Sequence, residues 1–352
     1  MNHVSCRLAE LGWQPFFRQQ LSPEEERTHI PARVVALNRH LVDLFDDEGA
    51  GQISLPSAWL HRSGEELPTV GDWLLLDRHR QPIRILRRKS LFKRMAAGLD
   101  ARVQLMAANV DTLFVVSSCN QDFNLSRLER YLVLALAAGV EPVLLLTKAD
   151  LTADASGYLT QAATLHPQLA VLAVNARAAE VAGQLAPWLA VGRTVALVGS
   201  SGVGKSTLVN TLSCTDVQAV GAIRPADDKG RHTTTGRSLH LLPGGGLLID
   251  SPGLRELQVS DCAAGLASLF SEIDLLAQEC RFRDCRHQDE AGCAVTAAVA
   301  RGEVAPRRLA NYLKLNTEQE RTSQILVEKK RKDRSFGKMQ KRVLTLKRGD
   351  EC

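Results

Sequence analysis

Long apolar runs are what this sequence most clearly lacks. No stretch of about eighteen unbroken apolar residues occurs. The nearest candidate, YLVLALAAGVEPVLLLT, is interrupted by Glu141 and Pro142, so no membrane-spanning helix is expected. The opening residues MNHVSCRLAELGW have no apolar core, which argues against a secretory signal. Internal repeats are absent too. Nor is there a disulfide framework: Cys6, Cys119, Cys214, Cys262 and Cys352 each stand alone, as suits reduced thiols in a cytosolic protein. Strong charge of one sign is also missing. Lys and Arg number 44 against 39 Asp and Glu, a net charge of +5, so where the charge sits matters more than its sum. These absences point to a soluble, cytoplasmic protein, read here as a monomer.

What is present is length and an ordinary composition. The 352 residues, 45% hydrophobic and 24% charged, suffice for two or three domains with a sizeable core. Residues 1–30 read as a polar leader with one amphipathic piece, LGWQPFFRQQL. Residues 31–97 hold short, mostly alternating runs, ARVVALN, HLVDLFDD, GQISLP, DWLLLD and IRILRR, separated by Gly, Pro, Asp and Asn. They predict a small β-barrel such as an OB-fold, and periodicity leaves an SH3-like barrel open. Over 98–260 strand and helix patterns alternate, which predicts an α/β domain with a mostly parallel sheet. Its first helix is expected in SRLERYLVLALAAG, with Ser126 and Glu129 spaced as a capping box. Residues 261–334 read as helical around a cysteine cluster, and 335–352 as a basic tail.

One motif in the α/β region has a direct physical meaning. Gly199, Ser200, Ser201, Gly202, Val203, Gly204, Lys205 and Ser206 fit G-x-x-x-x-G-K-[ST], and Thr207 follows. The motif lies after an apolar strand and opens a helix, the context it requires. Glycines let backbone N–H groups close around phosphate oxygens, and the helix N-terminus adds positive potential. Lys205 is expected on the β- and γ-phosphates and Ser206 on Mg²⁺. Asp250, in LLIDSPG, ends a strand downstream; it is the expected second Mg²⁺ carboxylate, with the Gly253 N–H on the γ-phosphate.

Fifty residues before the phosphate loop, Thr147, Lys148, Ala149 and Asp150 end another apolar strand. The pattern [NT]-K-x-D suits guanine, because a carboxylate accepts from both N1–H and the 2-amino group. Asn175 and Ala176 end the next strand and are expected to supply a second base-contacting loop. Base reading thus precedes phosphate binding, the reverse of the usual order. In a doubly wound sheet the site depends on which strands are neighbours, not on which comes first. A circularly permuted GTPase domain is expected.

Cys280, Cys285, His287 and Cys293 form C-x4-C-x-H-x5-C, a donor set suited to one closed, structural Zn²⁺ site. Arg281, Arg283 and Arg286 lie among the ligands. RRKSLFKR at 87–94 and VEKKRKDRSFGKMQKR at 327–342 interleave cations with Phe92 and Phe336. Such stretches are either solvated faces or surfaces for RNA backbone and base stacking.

TKAD ahead of GSSGVGKST, the segment GRHTTT at 230–235, DSPG and the cysteine–histidine cluster together resemble the RsgA (YjeQ) family of small-ribosomal-subunit biogenesis GTPases, over about residues 30–330. The resemblance implies an OB-fold, a permuted GTPase domain and a zinc-binding helical domain. It also implies GTP hydrolysis and binding to the small ribosomal subunit and its rRNA. The base reader departs from the family in Thr147, where Asn is usual, and in Asn175, where Ser is usual. Leader and tail differ from better-known members, which suggests a paralogue with an altered role. Leu254 stands where Ras-like enzymes place a water-orienting Gln, a hydrophobic substitution the family shares. His232, beside Arg231, is the candidate replacement, or else a solvated loop residue. One of Thr233, Thr234 and Thr235 should complete the Mg²⁺ shell; Thr234 is taken as the representative. Two alternatives stay open: an rRNA-binding placeholder gated by nucleotide with little catalysis, and a phosphate-loop ATPase of another kind.

Overall fold

The computed structural model describes residues 6–38, 41–60, 62, 64–95, 103–213, 237–251, 254 and 262–325. Arg231, His232, Thr233, Thr234, Thr235, Gly253 and the 327–342 run lie outside these residues. The chain divides into two compact units, one of residues 1–96 with 102–257 and one of 97–101 with 258–352.

The first unit is organised by strands that are apolar on both faces. LFVV, VLLL, VALV and LLI lie in β8 (Thr112–Ser118), β9 (Glu141–Thr147), β11 (Thr194–Val198) and β13 (Leu247–Asp250). Strands covered on both sides read as unbroken apolar runs, the signature of a parallel sheet. With β10 (Ala170–Ala173) and β12 (Ser238–Leu241) they form the order β10-β9-β8-β11-β13-β12. The first five are mutually parallel, and β12 runs antiparallel to β13. The chain steps outward from β8 to β10, then returns across β8 to β11. Strand order therefore reverses between β8 and β11, where diverging loops leave a crevice at the carboxyl ends.

The five runs predicted in residues 31–97 all fall on strands: β1 (Ile30–Asn38), β2 (Leu41–Phe45), β3 (Ala50–Ser54), β4 (Trp73–Leu76) and β5 (Pro82–Ile85). They pair antiparallel along the path β3-β2-β1-β4-β5 over a core of Val34, Val42, Leu44, Leu74 and Leu76. A further pairing, Ala36 with Ser238, joins β1 to β12, so both sheets form one hydrogen-bonded surface.

Three strands were not anticipated: β12, β6 (Leu91–Met95) and its partner β7 (Val103–Ala108). The run LFKRM in β6 carries two cations among its five residues, which hides a strand from hydrophobic pattern alone. The RNA-stacking reading of 87–94 is corrected here. Phe92 is buried. Arg88 pairs with both oxygens of fully buried Asp72 at 2.7 Å. Lys89 pairs with Asp111 at 2.8 Å and Lys93 with Glu65 at 2.7 Å, while Arg87 lies over the Phe16 ring.

The polar leader is also corrected. Leu8, Leu11 and Phe17 are buried, and Trp13 and Phe17 pack on the Trp73 ring at 4.8 and 5.9 Å. Gly12, at φ +84°, approaches so closely that a Cβ there would lie 2.7 Å from the Gly192 carbonyl. Arg33 closes this junction. It is 1% exposed, and it donates to the carbonyls of Leu11 and Asn109 and to the Thr194 hydroxyl. Burial lowers its guanidinium to about 10, opposed by Asp111 and Asp72.

The cap of helix Leu125–Ala137 lies two residues before the expected one. Asn124, not Ser126, caps it, with Oδ1 accepting from the Arg127 N–H at 2.9 Å.

The second unit has helices Ala263–Leu269, Ser271–Ala277, Ala294–Ala300 and 306–325. Phe270 meets Tyr312 edge-on at 5.5 Å, and Arg308 lies over the Phe270 ring. Among the described residues no helix is long and apolar enough to cross a membrane.

Candidate nucleotide and metal sites

The phosphate-loop residues connect β11 to helix Lys205–Leu212, at the crevice where strand order reverses. Two glycines are dictated by geometry. Gly199 has φ +150°, and a Cβ there would lie 2.2 Å from the Val116 carbonyl. Gly204, at φ +97°, precedes the helix directly, in a conformation that costs other residues energy. Val203 is buried in the core beneath the loop. Ser200, Ser201, Gly202 and Ser206 are at least partly exposed, and Thr207 is partly buried. No side chain caps the helix start, which leaves its first N–H groups available to an anion. The mostly buried Lys205 docks its ammonium on the Ser200 carbonyl.

The base-reader loop follows β9, two strands from β11. Thr147 is fully buried. Its hydroxyl lies 2.5 Å from the Val203 carbonyl and 3.1 Å from that of Ser117. Thr147 thus holds the phosphate loop from behind rather than facing solvent. Lys148 adopts the left-handed conformation at φ 57°, a strained state typical of functional turns. Asp150 beyond it is exposed. In the second loop, the Asn175 side chain accepts from the Arg177 N–H at 3.0 Å. The Ala176 carbonyl accepts from Thr211, on the phosphate-loop helix, at 2.7 Å. Two hydroxyl-to-carbonyl bonds therefore tie the loops after β9 and β10, the expected base readers, to the phosphate loop and its helix.

Asp250 ends β13, the parallel neighbour of β11 on the other side. It lies opposite Ser238 on β12, and the Ser238 hydroxyl is 2.8 Å from His240 Nε2. Burial pushes the His240 imidazole down, while Asp250 pulls it up. Leu254 is fully buried and donates its N–H to the Ser251 carbonyl at 3.0 Å, so its side chain offers nothing to a water.

Sequence reasoning missed Arg127, whose guanidinium donates to the Ser200 hydroxyl at 2.5 Å. A cation in the first turn of a helix was the available signal, because the helix dipole disfavours it there.

In the second unit the ligand atoms of Cys280, Cys285, His287 and Cys293 all lie within 4.8 Å of one another. Cys280 Sγ is 3.8 Å from Cys293 Sγ and 3.6 Å from His287 Nδ1, and Cys293 Sγ is 3.5 Å from that nitrogen. A tetrahedral ion bound at about 2.3 Å to sulfur and about 2.0 Å to nitrogen separates its ligands by about 3.8 and 3.5 Å. The donor set therefore fits one metal ion. His287 takes the left-handed conformation at φ 59°. Glu290 braces the loop by accepting from the Arg286 and Gln288 N–H groups. Burial pushes the Cys293 thiol up, but hydrogen bonds from Thr296 and His287 outweigh it and leave the thiol lowered, while burial leaves its neighbour Cys285 raised.

Known proteins resemble this chain over most of its length. The family model described as RsgA GTPase matches residues 85–260, and one described as 50S ribosome-binding GTPase matches 194–329. The Vibrio parahaemolyticus protein "Small ribosomal subunit biogenesis GTPase RsgA 2" is 49% identical over 345 residues, covering 98% of this chain and 95% of its own. A Mesorhizobium japonicum protein, "Small ribosomal subunit biogenesis GTPase RsgA", is 49% identical over 326 residues, with 91% and 92% covered. The solved structure of YjeQ from Thermotoga maritima superposes with a TM-score of 0.58 at 25% identity, over 82% of this chain and 97% of that one. That of YloQ, described as a circularly permuted GTPase, gives 0.58 at 22% identity, over 85% and 98%. The strand order here is the permuted one. With half of its length inside one family model and nearly all of it aligned to relatives at 49% identity, this chain belongs to the RsgA GTPase family.

Proposed function

We propose that this protein is a GTPase that binds the small ribosomal subunit and assists its late assembly, hydrolysing GTP to GDP and phosphate with turnover stimulated by the subunit. The observation that carries this reading is the tie between phosphate loop and base reader: Thr147 to Val203, and Thr211 to Ala176. These bonds support reading as one site two motifs that the sequence presents in reverse order.

In this reading the N–H groups of Gly199–Thr207 and the Lys205 ammonium bind the phosphates, joined by the Gly253 N–H. Asp150 accepts from the two guanine donors that adenine lacks, with Lys148, Ala149 and Asn175 shaping the base pocket. Ser206 and Asp250 would hold Mg²⁺, with one of Thr233–Thr235; bound there, the ion neutralises charge that develops on the phosphates. His232 is the proposed water-orienting residue, since Leu254 cannot serve. Cys280, Cys285, His287 and Cys293 would hold a structural Zn²⁺ that fixes the ligand loop. Arg281, Arg283 and Arg286 are exposed on that loop, and Arg281 lies over the 46%-exposed Phe282 ring. Exposed arginines beside an exposed ring suit rRNA phosphates and bases. Residues 31–97 are read as an OB-like barrel.

A second reading, a nucleotide-gated rRNA-binding placeholder, is favoured only by the burial of Leu254. Hydrolysis of GTP and ATP, with and without small subunits and with Lys205→Ala as control, separates the two. GTP-selective turnover that rises strongly with subunits is expected. GTP-selective binding without stimulation leaves the placeholder, and equal ATP turnover overturns both.

A further inference from the structure

Helix Leu125–Ala137 places a cation where local electrostatics opposes it. Arg127 lies in the first turn, its N–H bonded to the Asn124 cap, and the positive end of the helix dipole repels a guanidinium. Among the described residues no carboxylate pairs with it to offset that repulsion. Yet Nη1 is committed, donating to the Ser200 hydroxyl at 2.5 Å across 73 residues of sequence. Ser200 is the second residue of the phosphate loop, and its carbonyl accepts from Lys205 Nζ. One residue of the loop is thus gripped by two cations, by its side chain and by its backbone. The grip sits where a ligand site belongs: the Arg127 helix follows β8, the loop follows β11, and strand order reverses between these two.

We propose that Arg127 is a positioning residue of the phosphate loop. Acting through Ser200, it fixes the loop backbone and with it the Lys205 ammonium that meets the nucleotide phosphates. This rests on the GTP-binding reading above. The guanidinium has five N–H donors, so its remaining donors add positive potential at the mouth of the crevice. A preorganised loop binds phosphate without first being ordered, and so more tightly.

The test is a double-mutant cycle on the full-length protein, with Arg127→Ala, Ser200→Ala and the double variant. Affinities for fluorescent GDP and GTP analogues are read with Mg²⁺ present, beside melting temperature. Each single variant is expected to weaken binding about tenfold, the scale of one charge-assisted hydrogen bond. The double variant should be little weaker than either single one, because both remove the same link. Melting temperatures of the nucleotide-free variants should match the parent, since Arg127 is exposed. Affinity within twofold of the parent for Arg127→Ala, or losses that multiply in the double variant, would overturn the role. If the parent binds neither analogue, the reading of the whole site falls with it.

Discussion

Two stretches of this chain look alike in composition and behave oppositely in the fold. Residues 87–94 and 281–286 each combine arginines with a single phenylalanine. In the first, Phe92 is buried and the cations face Asp72, Asp111 and Glu65. In the second, Phe282 is exposed, Arg281, Arg283 and Arg286 face solvent, and the nearby carboxylate of Glu290 is occupied by backbone N–H groups. The difference lies in what surrounds each run. A basic run that enters a β-hairpin beside acidic loops is neutralised internally. The second is strung among Cys280, Cys285 and His287 on an exposed loop, away from the buried Leu269, Phe270 and Ile273, so its arginines stay in solvent. Charge density alone therefore says little about a nucleic-acid surface.

That contrast can be broken in three ways. Emptying the proposed metal site should have the largest effect, since a structural ion at such a site supplies on the order of 10 kcal/mol to folding. Cys293→Ser is expected to reduce bound metal from about one ion per chain to near zero, measured by elemental analysis, and to melt the second unit. Next, Arg88→Ala leaves the buried Asp72 carboxylate unpaired, a loss of about 3–5 kcal/mol. Denaturant unfolding should show that loss, while affinity for small-subunit rRNA at a folded temperature stays unchanged. Weakened RNA binding at full stability would instead restore 87–94 as an RNA surface. Smallest in stability is the triple change of Arg281, Arg283 and Arg286 to Gln, expected within about 0.5 kcal/mol. It should lower rRNA affinity several-fold and flatten its salt dependence by about two in log–log slope. Unchanged affinity would mean that this face, like the first, is not the one that meets RNA.

Local chemistry was legible in the sequence, and long-range chemistry was not. The phosphate loop, TKAD and the cysteine–histidine cluster announce themselves because each completes its geometry within a few residues. The four inner strands of the parallel sheet, β8, β9, β11 and β13, were equally plain, being unbroken apolar runs. The reversed motif order could be resolved because strand adjacency, not sequence order, builds such a site. What stayed hidden depends on distant partners. Arg33 reads as one more strand cation until Leu11, Asn109 and Thr194 enclose it. Thr147 reads as a base-contacting substitute until Val203 claims its hydroxyl. Neither partner can be named from spacing.

The Arg33 junction also sets a schedule. Its contact with Thr194 spans 161 residues. At a synthesis rate of roughly 5–20 residues per second, the guanidinium waits on the order of ten to thirty seconds for that hydroxyl. Until β11 has left the ribosome that makes it, Arg33 can reach the carbonyls of Leu11 and Asn109 but lacks its third partner, Thr194. The amino-terminal region is therefore made first and finished late, sealed by the same strand that delivers the phosphate loop.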